Sequence, residues 1–429
     1  MRFVNRILED RFQLQANGTT LRREVMAGLV SFVTGAYVVV VNARLMAEAG
    51  MPLAGATVAS AVAAGVGSLL MGLWANAPLM VVTGLGDAAL FTYTLVQGIG
   101  LAWQEALAVV CATGLLCSVV AFTPALQSVL SGVPASLRAA ISAGVGLFLA
   151  FIGLRQGGLI VSGGDSLVAL GDLGDPQVLL TLITLAITVV LYLRRVPGAV
   201  LISIGAGSLL AWAAGHPGRT AAASASLAAY RQVAGALSPG RLATLPFWAA
   251  TFTFTMVVLF ENLGLMYGLL PRKEEVPRAL QANALAVFLA GLLGATPTVA
   301  AAEGAAGIAA GGRTGLTAVT AGVLFLASLG ALPVVGLIPN SAIAPVLVLV
   351  GALMCEPLRT IAFDDLTEAI PAFLVILLIP LTFSVADGIA FGLVAYPLVK
   401  AAAGRWREVS PAMYVVAALF LLYFLIRAA

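Results

Sequence analysis

Fourteen apolar runs, each closed by a turn or a charged residue, follow one another from residue 25 to residue 402. They fall near 25–47, 52–74, 84–98, 104–122, 136–155, 177–195, 197–214, 246–270, 279–294, 300–311, 315–337, 340–355, 368–384 and 387–402. A further run, 411–427, follows Arg407 and Glu408 and reads as a fifteenth span or an interfacial helix. A helix that crosses a bilayer needs about 20 apolar residues. The chain therefore reads as an all-α polytopic membrane protein of about 14 spans. Its residues are 61% hydrophobic and 10% charged. Soluble domains carry about 45–50% and about 25%, so a water-soluble enzyme is excluded.

The net charge of +3 does not indicate a nucleic-acid partner, because the basic residues sit in short groups between the apolar runs. Arg138, Arg194, Arg195, Arg272, Lys273, Arg278, Arg313, Arg359 and Lys400 are assigned to loops on one side, read as cytoplasmic by the positive-inside rule. The N-terminus is expected on that side. Cys111, Cys117 and Cys355 form no CxxC pair, so neither a disulfide framework nor a thiolate metal site is expected. The first 24 residues hold five arginines and no apolar core, and no cleavable signal peptide is read there.

A polar stretch from Gly215 to Leu245 divides the runs seven and seven. An odd number per half inverts the halves relative to each other. Two segments interrupt the smooth helical pattern: Asn76–Phe91, with Pro78, Gly84, Gly86 and Asp87, and Gly294–Gly307, with Pro297, Glu303 and Gly304. Each pairs an extended stretch with a short helix that carries one carboxylate. They lie about half the chain apart, the arrangement that marks the central site of a transporter built from inverted repeats. Irregular backbone at that depth must line a cavity or be buried in protein.

Three acids lie inside apolar sequence without a local basic partner: Asp87, Glu261 and Glu303. An ionised group costs about 2.5–3.5 kcal/mol at bilayer depth, so each is a functional candidate. Burial disfavours the charged form, which makes Glu261 a candidate proton carrier. At Asp87 and Glu303 the dipole of a short helix opposes burial, and the outcome stays open. A carboxylate, helix N-termini and an aromatic face together suit a flat polar heterocycle. Tyr37, Phe91, Tyr93 and Phe260 are the aromatics nearest these segments. His216 reads as a loop residue and Asp387 as a helix cap. Arg44 is expected to snorkel or to pair with Glu48. No phosphate loop, metal cluster or nucleophile motif is present, so pumping and hydrolysis lack their chemistry.

Several strings carry a family likeness: Glu24-Val-Met-Ala-Gly28-Leu-Val, Ala36-Tyr37-Val-Val-Val-Val-Asn42, Pro134-Ala-Ser136-Leu-Arg138, Gly311-Gly312-Arg313-Thr314-Gly315-Leu-Thr317 and Asp365-Leu-Thr367-Glu368-Ala-Ile-Pro371-Ala-Phe373. From about residue 7 to 404 the chain resembles the purine-permease branch of the nucleobase–cation symporter-2 (nucleobase–ascorbate) family. The resemblance implies two inverted seven-span repeats, a core of spans 1–4 and 8–11, and a gate of spans 5–7 and 12–14. In this chain the core halves would be 25–130 and 246–338, and the gate halves 131–214 and 339–404. Residues 1–24 would be a cytoplasmic segment, 215–245 an extracellular linker and 405–429 an apolar tail.

The resemblance also implies proton-coupled nucleobase uptake by an elevator-like shift, with no cofactor, and a homodimer joined through the gate. Glu261 and Glu303 match the family's substrate-binding and proton-coupling positions. Asp87, Tyr37, Phe91, Phe260, Gly86 and Gly304 complete the expected substrate site. Asp87 stands where that branch usually has Asn, Glu261 where it has Asp, and alanines surround Glu303 where it is richer in Ser. Hypoxanthine, guanine or adenine are the expected substrates. The alternatives are uracil, xanthine or another small heterocycle, or an anion carrier or channel of the same architecture.

Overall fold

Lipid offers no partner for backbone N–H and C=O groups, and a helix satisfies its own. Each apolar run accordingly becomes a helix or an interrupted span. The computed structural model describes residues 9, 11–123, 134–163, 168–196, 198–216, 227–330 and 337–428. Its first half runs α1 (Leu21–Gly35), α2 (Tyr37–Glu48), α3 (Leu53–Ala75), β1 (Val81–Thr83) and α4 (Leu85–Ala89). A π-helix over Leu90–Gly98 continues α4, followed by α5 (Trp103–Phe122) and α6 (Ala135–Gln156). A small hairpin of β2 (Ile160–Val161) and β3 (Ala169–Leu170) precedes α7 (Pro176–Leu193) and α8 (Ala199–Ala213). Helix α9 (Leu227–Arg231) lies between the halves.

The second half runs α10 (Leu245–Leu269), α11 (Val276–Leu292), β4 (Thr298–Ala300) and α12 (Gly304–Ala309). It continues through α13 (Gly315–Ala327), α14 (Asn340–Met354), α15 (Leu366–Thr382) and α16 (Val385–Ala402), and α17 (Pro411–Ala428) closes the chain. Among the described residues, eight helical rods are long and apolar enough to cross a membrane, counting α1–α2 as one. The two interrupted spans do not reach that length as single helices.

The packing repeats between halves. Helix α3 packs on α13 as α11 packs on α5, and α6 on α15 as α14 on α7. Helices α6 and α14 meet each other. Glycines bring these pairs together. A Cβ on Gly315 would stand 2.1 Å from the Gly72 carbonyl oxygen, and one on Gly72 2.3 Å from that of Gly315. Gly146 and Gly351 make the same reciprocal contact between α6 and α14, at 2.6 and 2.3 Å. Small residues let membrane helices gain dispersion contact at short range, where lipid provides no hydrophobic drive.

The first rod is interrupted at Ala36, between α1 and α2. The Thr34 hydroxyl donates back to the Val30 and Ser31 carbonyls, both at 2.9 Å, a bond that bends helices. Gly35 beside it leaves room for the Met80 side chain.

Several loop assignments are corrected. Glu24, which opens one of the family strings, is fully enclosed. Its carboxylate accepts from the Arg313 N–H at 2.9 Å, the Thr314 N–H at 3.3 Å and the Thr317 hydroxyl at 2.7 Å. Asn76 Oδ1 accepts the Gly315 N–H at 2.8 Å. The Gly311–Thr317 string thus forms the N-terminus of α13, capped from α1 and from the end of α3. Lys400 is buried within α16, 2.9 Å from Glu368 and 3.0 Å from Glu408. Near it, the Thr367 hydroxyl and Arg405 hold the Asp365 carboxyl well below the usual carboxylate range.

Ser384, not Asp387, is the N-cap of α16, and its hydroxyl accepts the Asp387 N–H at 3.1 Å. Arg44 Nη2 donates to the Ile338 carbonyl at 2.6 Å. The connection after α9 is docked rather than free: Val233 is fully buried and the Gly235 N–H reaches Leu292 O at 2.8 Å. Residues 217–226 of the expected linker lie outside the described residues. Helix α17 packs on α16 and α10 through the ring pairs Phe391–Phe424 and Phe252–Phe420.

The Glu24→Ala variant should lose about 3 kcal/mol of stability, because three donors at the start of α13 lose their acceptor together. Thermal unfolding of the detergent-solubilised protein measures it, and Glu24→Gln should fall in between.

Candidate functional site

Where the two interrupted spans meet, their extended stretches satisfy each other. β1 and β4 pair antiparallel, with Val81 opposite Ala300, Val82 opposite Val299 and Thr83 opposite Thr298. The ladder extends through Gly84 N–H to Pro297 O at 3.0 Å and Ala301 N–H to Met80 O at 2.9 Å. All six strand residues are buried. Beyond three residues each chain turns into its half-helix, and side chains from the surrounding helices take over the backbone groups that remain.

Ser68 on α3 both accepts the Val81 N–H at 3.0 Å and donates to Val81 O at 2.9 Å. Asn283 on α11 donates to Thr298 O at 3.0 Å, and Asn262 Oδ1 on α10 accepts the Ala300 N–H at 2.8 Å. Asn42 on α2 accepts from the Thr296 hydroxyl at 2.9 Å and donates to Ser60 at 2.8 Å. The sequence reading gave no role to Ser68, Asn262 or Asn283, and cited Asn42 only within a family string. Amides inside apolar runs were the signal available for the asparagines.

The candidate acids gather at this crossing in two groups. Glu303 is the residue before α12 and is half-buried. The Tyr37 hydroxyl donates to Glu303 Oε1, and Thr34 Oγ1 reaches the Glu303 carbonyl at 3.3 Å. Tyr37 is 1% exposed and opens α2 just past the break at Ala36. Tyr192, at the end of α7, is within electrostatic range of Glu303.

Asp87 and Glu261 form the second group. Asp87 lies in the first turn of α4, fully buried, within electrostatic range of Glu261 on α10. Neither Asp87 carboxylate oxygen has a hydrogen-bond partner among the described residues. The buried hydroxyls of Thr83 and Thr298 and the Asn283 side-chain oxygen are unpartnered as well. The crossing therefore carries acceptor oxygens on both half-helices, able to take N–H groups of a small polar molecule or to hold protons.

The remaining candidates surround these acids in different ways. Phe91 is fully enclosed in the π-helix and Phe260 is 7% exposed beside Glu261. Gly86 lets α4 abut α6, since a Cβ there would stand 2.7 Å from Val145 Cγ1. Gly304 follows Glu303, and a Cβ there would come to 3.5 Å from the Met80 nitrogen, an ordinary contact. Among the described residues, no group of three or more His, Cys, Asp or Glu side chains could hold a metal ion.

Paired interrupted spans crossing among membrane helices, with buried carboxylates beside them, define a membrane transporter rather than an enzyme. The family described as Permease family (Xan_ur_permease) matches residues 22–391, and the chain belongs to it. The likeness carried by the sequence strings is thus borne out. The nucleobase transporter PlAzg2 of Paenibacillus larvae is 44% identical over 88% of this chain and 77% of its own length. The guanine/hypoxanthine permease PbuO of Bacillus subtilis is 37% identical over 95% of this chain and 98% of its own. The adenine permease AdeP of Escherichia coli is 34% identical over 97% and 95%.

Among solved structures, the transmembrane domain of the cyanobacterial bicarbonate transporter BicA superposes with a TM-score of 0.63 at 16% identity. It covers 85% of this chain and 97% of that one. The murine anion transporter Slc26a9, in its inward-facing state, gives 0.64 at 12% identity, over 89% and 68%. At such identities these two share the fold, built of a core and a gate.

Asn262→Ala would strand the buried Ala300 N–H at the end of the ladder. It should cost about 1–3 kcal/mol, read as a lower unfolding temperature in detergent, whereas a truncation on the lipid-facing side of α10 should leave it unchanged.

Proposed function

We propose that this transporter carries nucleobases, purines such as hypoxanthine, guanine and adenine foremost, into the cell in symport with protons. One observation carries the reading: carboxylates on both sides of the β1–β4 crossing, with Glu303 tied to Tyr37 and Asp87 beside Glu261. Carboxylates accept the ring N–H and amino groups of a purine, and they repel anions. That repulsion disfavours anion transport, despite the anion carriers among the fold relatives. The substrate class follows the similar permeases, which are nucleobase, guanine/hypoxanthine and adenine carriers.

Glu261 and Glu303 are the proton-coupling groups in this proposal, and Tyr37, Asp87, Phe91, Phe260, Gly86 and Gly304 shape the substrate site. Substrate and proton bind from outside, and neutralising an acid removes the cost of moving a buried charge. The core, formed by 25–130 and 246–338, then shifts against the gate of 131–214 and 339–404 in an elevator-type cycle. We place the protein in the plasma membrane with its N-terminus cytoplasmic, as the arginine-rich loops suggest, and as a homodimer joined through the gate.

Proteoliposomes loaded with neutral buffer and given an acidic exterior should accumulate labelled hypoxanthine, guanine or adenine, and a protonophore should abolish the accumulation. Glu303→Gln and Glu261→Gln should each lower uptake about 10- to 100-fold, the loss expected for a hydrogen bond to a charged group. Tyr37→Phe should weaken substrate affinity less than Glu303→Gln does. Uptake that ignores the proton gradient would refute symport. Failure of all three purines alongside uptake of uracil, xanthine or chloride would refute the substrate class.

A further inference from the structure

Glu48 closes the 28-residue α1–α2 rod, so it lies at the face of the molecule far from Leu21. Three elements converge on it. Its Oε2 accepts the Tyr93 hydroxyl from the π-helix at 2.6 Å, and its Oε1 accepts Gln156 Nε2 from the end of α6 at 2.5 Å. Gln97, one turn beyond Tyr93, donates to the Glu48 carbonyl at 3.1 Å. Gln156 is held from behind, since its own carbonyl accepts Gln177 Nε2 of α7 at 3.1 Å.

The corner between α15 and α16 closes the same region with a ring. Phe383 ends α15 at φ +55°, a left-handed backbone that a non-glycine residue adopts only under constraint. The constraint is visible in its side chain. Its ring stands edge-on to Tyr93 at 5.8 Å, Phe148 at 5.2 Å and Phe151 at 5.5 Å, with the Arg155 guanidinium 5.5 Å from its centroid. Two residues on, the Val385 N–H donates to Thr94 Oγ1 at 3.1 Å.

This junction differs from the permanent seams of the molecule. The α3–α13 and α6–α14 seams are glycine contacts at backbone distance. Here long polar side chains and one strained aromatic bridge the gap. The same junction borders a half-open pocket of about 240 Å³ whose lining includes Tyr93, Gln97, Thr382, Phe383 and Asp387. Contacts of this kind can be broken and remade at small cost, whereas interdigitated glycine seams cannot.

We propose that Glu48, Tyr93, Gln156 and Phe383 form a latch between core and gate, which shuts the β1–β4 crossing off from this face and must part whenever the site opens there. The proposal rests on the core–gate division and alternating cycle given above. Glu48 and Tyr93 belong to the core, and Gln156 and Phe383 to the gate. Release of the Phe383 ring also frees its strained backbone, so opening recovers part of what the broken contacts cost.

The test introduces Leu90→Cys, a position 1% exposed and about one turn inward of Thr94. Labelling of intact cells with a membrane-impermeant maleimide is compared with the parent carrying only Cys111, Cys117 and Cys355. Phe383→Ala and Gln156→Ala should each raise the labelling rate about tenfold by shifting the population toward the open state. Phe383→Tyr, which keeps the ring, should label at the unmodified rate.

In a second arm, Thr94→Cys with Val385→Cys is oxidised to a cross-link. Uptake should stop and return on reduction. Unchanged labelling in both Phe383→Ala and Gln156→Ala overturns the latch, as does uptake that persists in the fully cross-linked protein. If the parent carries no purine, the substrate reading fails by itself, and the labelling rates still decide the latch.

Discussion

The structure depends on a backbone problem. Two stretches of extended chain lie deep among membrane helices, where no water satisfies their N–H and C=O groups. Neither stretch can solve this alone. β1 and β4 solve it by pairing with each other across the two halves of the chain, three residues against three. Each half is thus incomplete without the other. The side chains nearest the ladder, Ser68, Asn262 and Asn283, are polar residues in apolar helices because they serve that backbone. The half-helices that follow then start at defined positions, and with them Asp87 and Glu303.

Around the crossing the fold uses two kinds of contact. Where helices stay together, glycines bring backbones to reciprocal close approach, as between Gly72 and Gly315. Where a helix begins inside the protein, a buried acceptor from elsewhere in the chain caps it, as Glu24 does for α13. Lys400 shows the same economy at the other end of the second half: a buried cation tolerated because Glu368 and Glu408 both reach it. By contrast, Asp87 lies within electrostatic range of Glu261, and neither of its carboxylate oxygens has a hydrogen-bond partner among the described residues. Glu24 and Lys400 are held by several partners each, whereas Asp87 at the crossing has none for either oxygen among the described residues. This contrast separates the candidate site from the rest of the buried charge.

Where the candidate site lies could be read from sequence in large part. Two Pro- and Gly-interrupted segments in equivalent places marked the crossing, and isolated acids in apolar runs marked Asp87, Glu261 and Glu303. Other features left no local mark. Tyr37 meets Glu303 across 266 positions of sequence, and the π-helix after α4 replaces what reads as an ordinary helix. Asp387 reads as a cap because it precedes a glycine, yet Ser384 three residues earlier holds that position.

The sequence by itself determined the membrane class, the helical character of the apolar runs and the family. Those follow from hydropathy and from short strings, which act locally against a uniform lipid solvent. Only the tertiary structure decided which partners the buried polar groups would find: β1 with β4, Glu24 with the start of α13, Tyr37 with Glu303, Lys400 with two acids. Apart from Lys400 with Glu408, such pairings join residues tens to hundreds of positions apart, and nothing within one helix distinguishes the right partner from a wrong one. The choice is made when helices pack and each buried donor or acceptor must be satisfied at once.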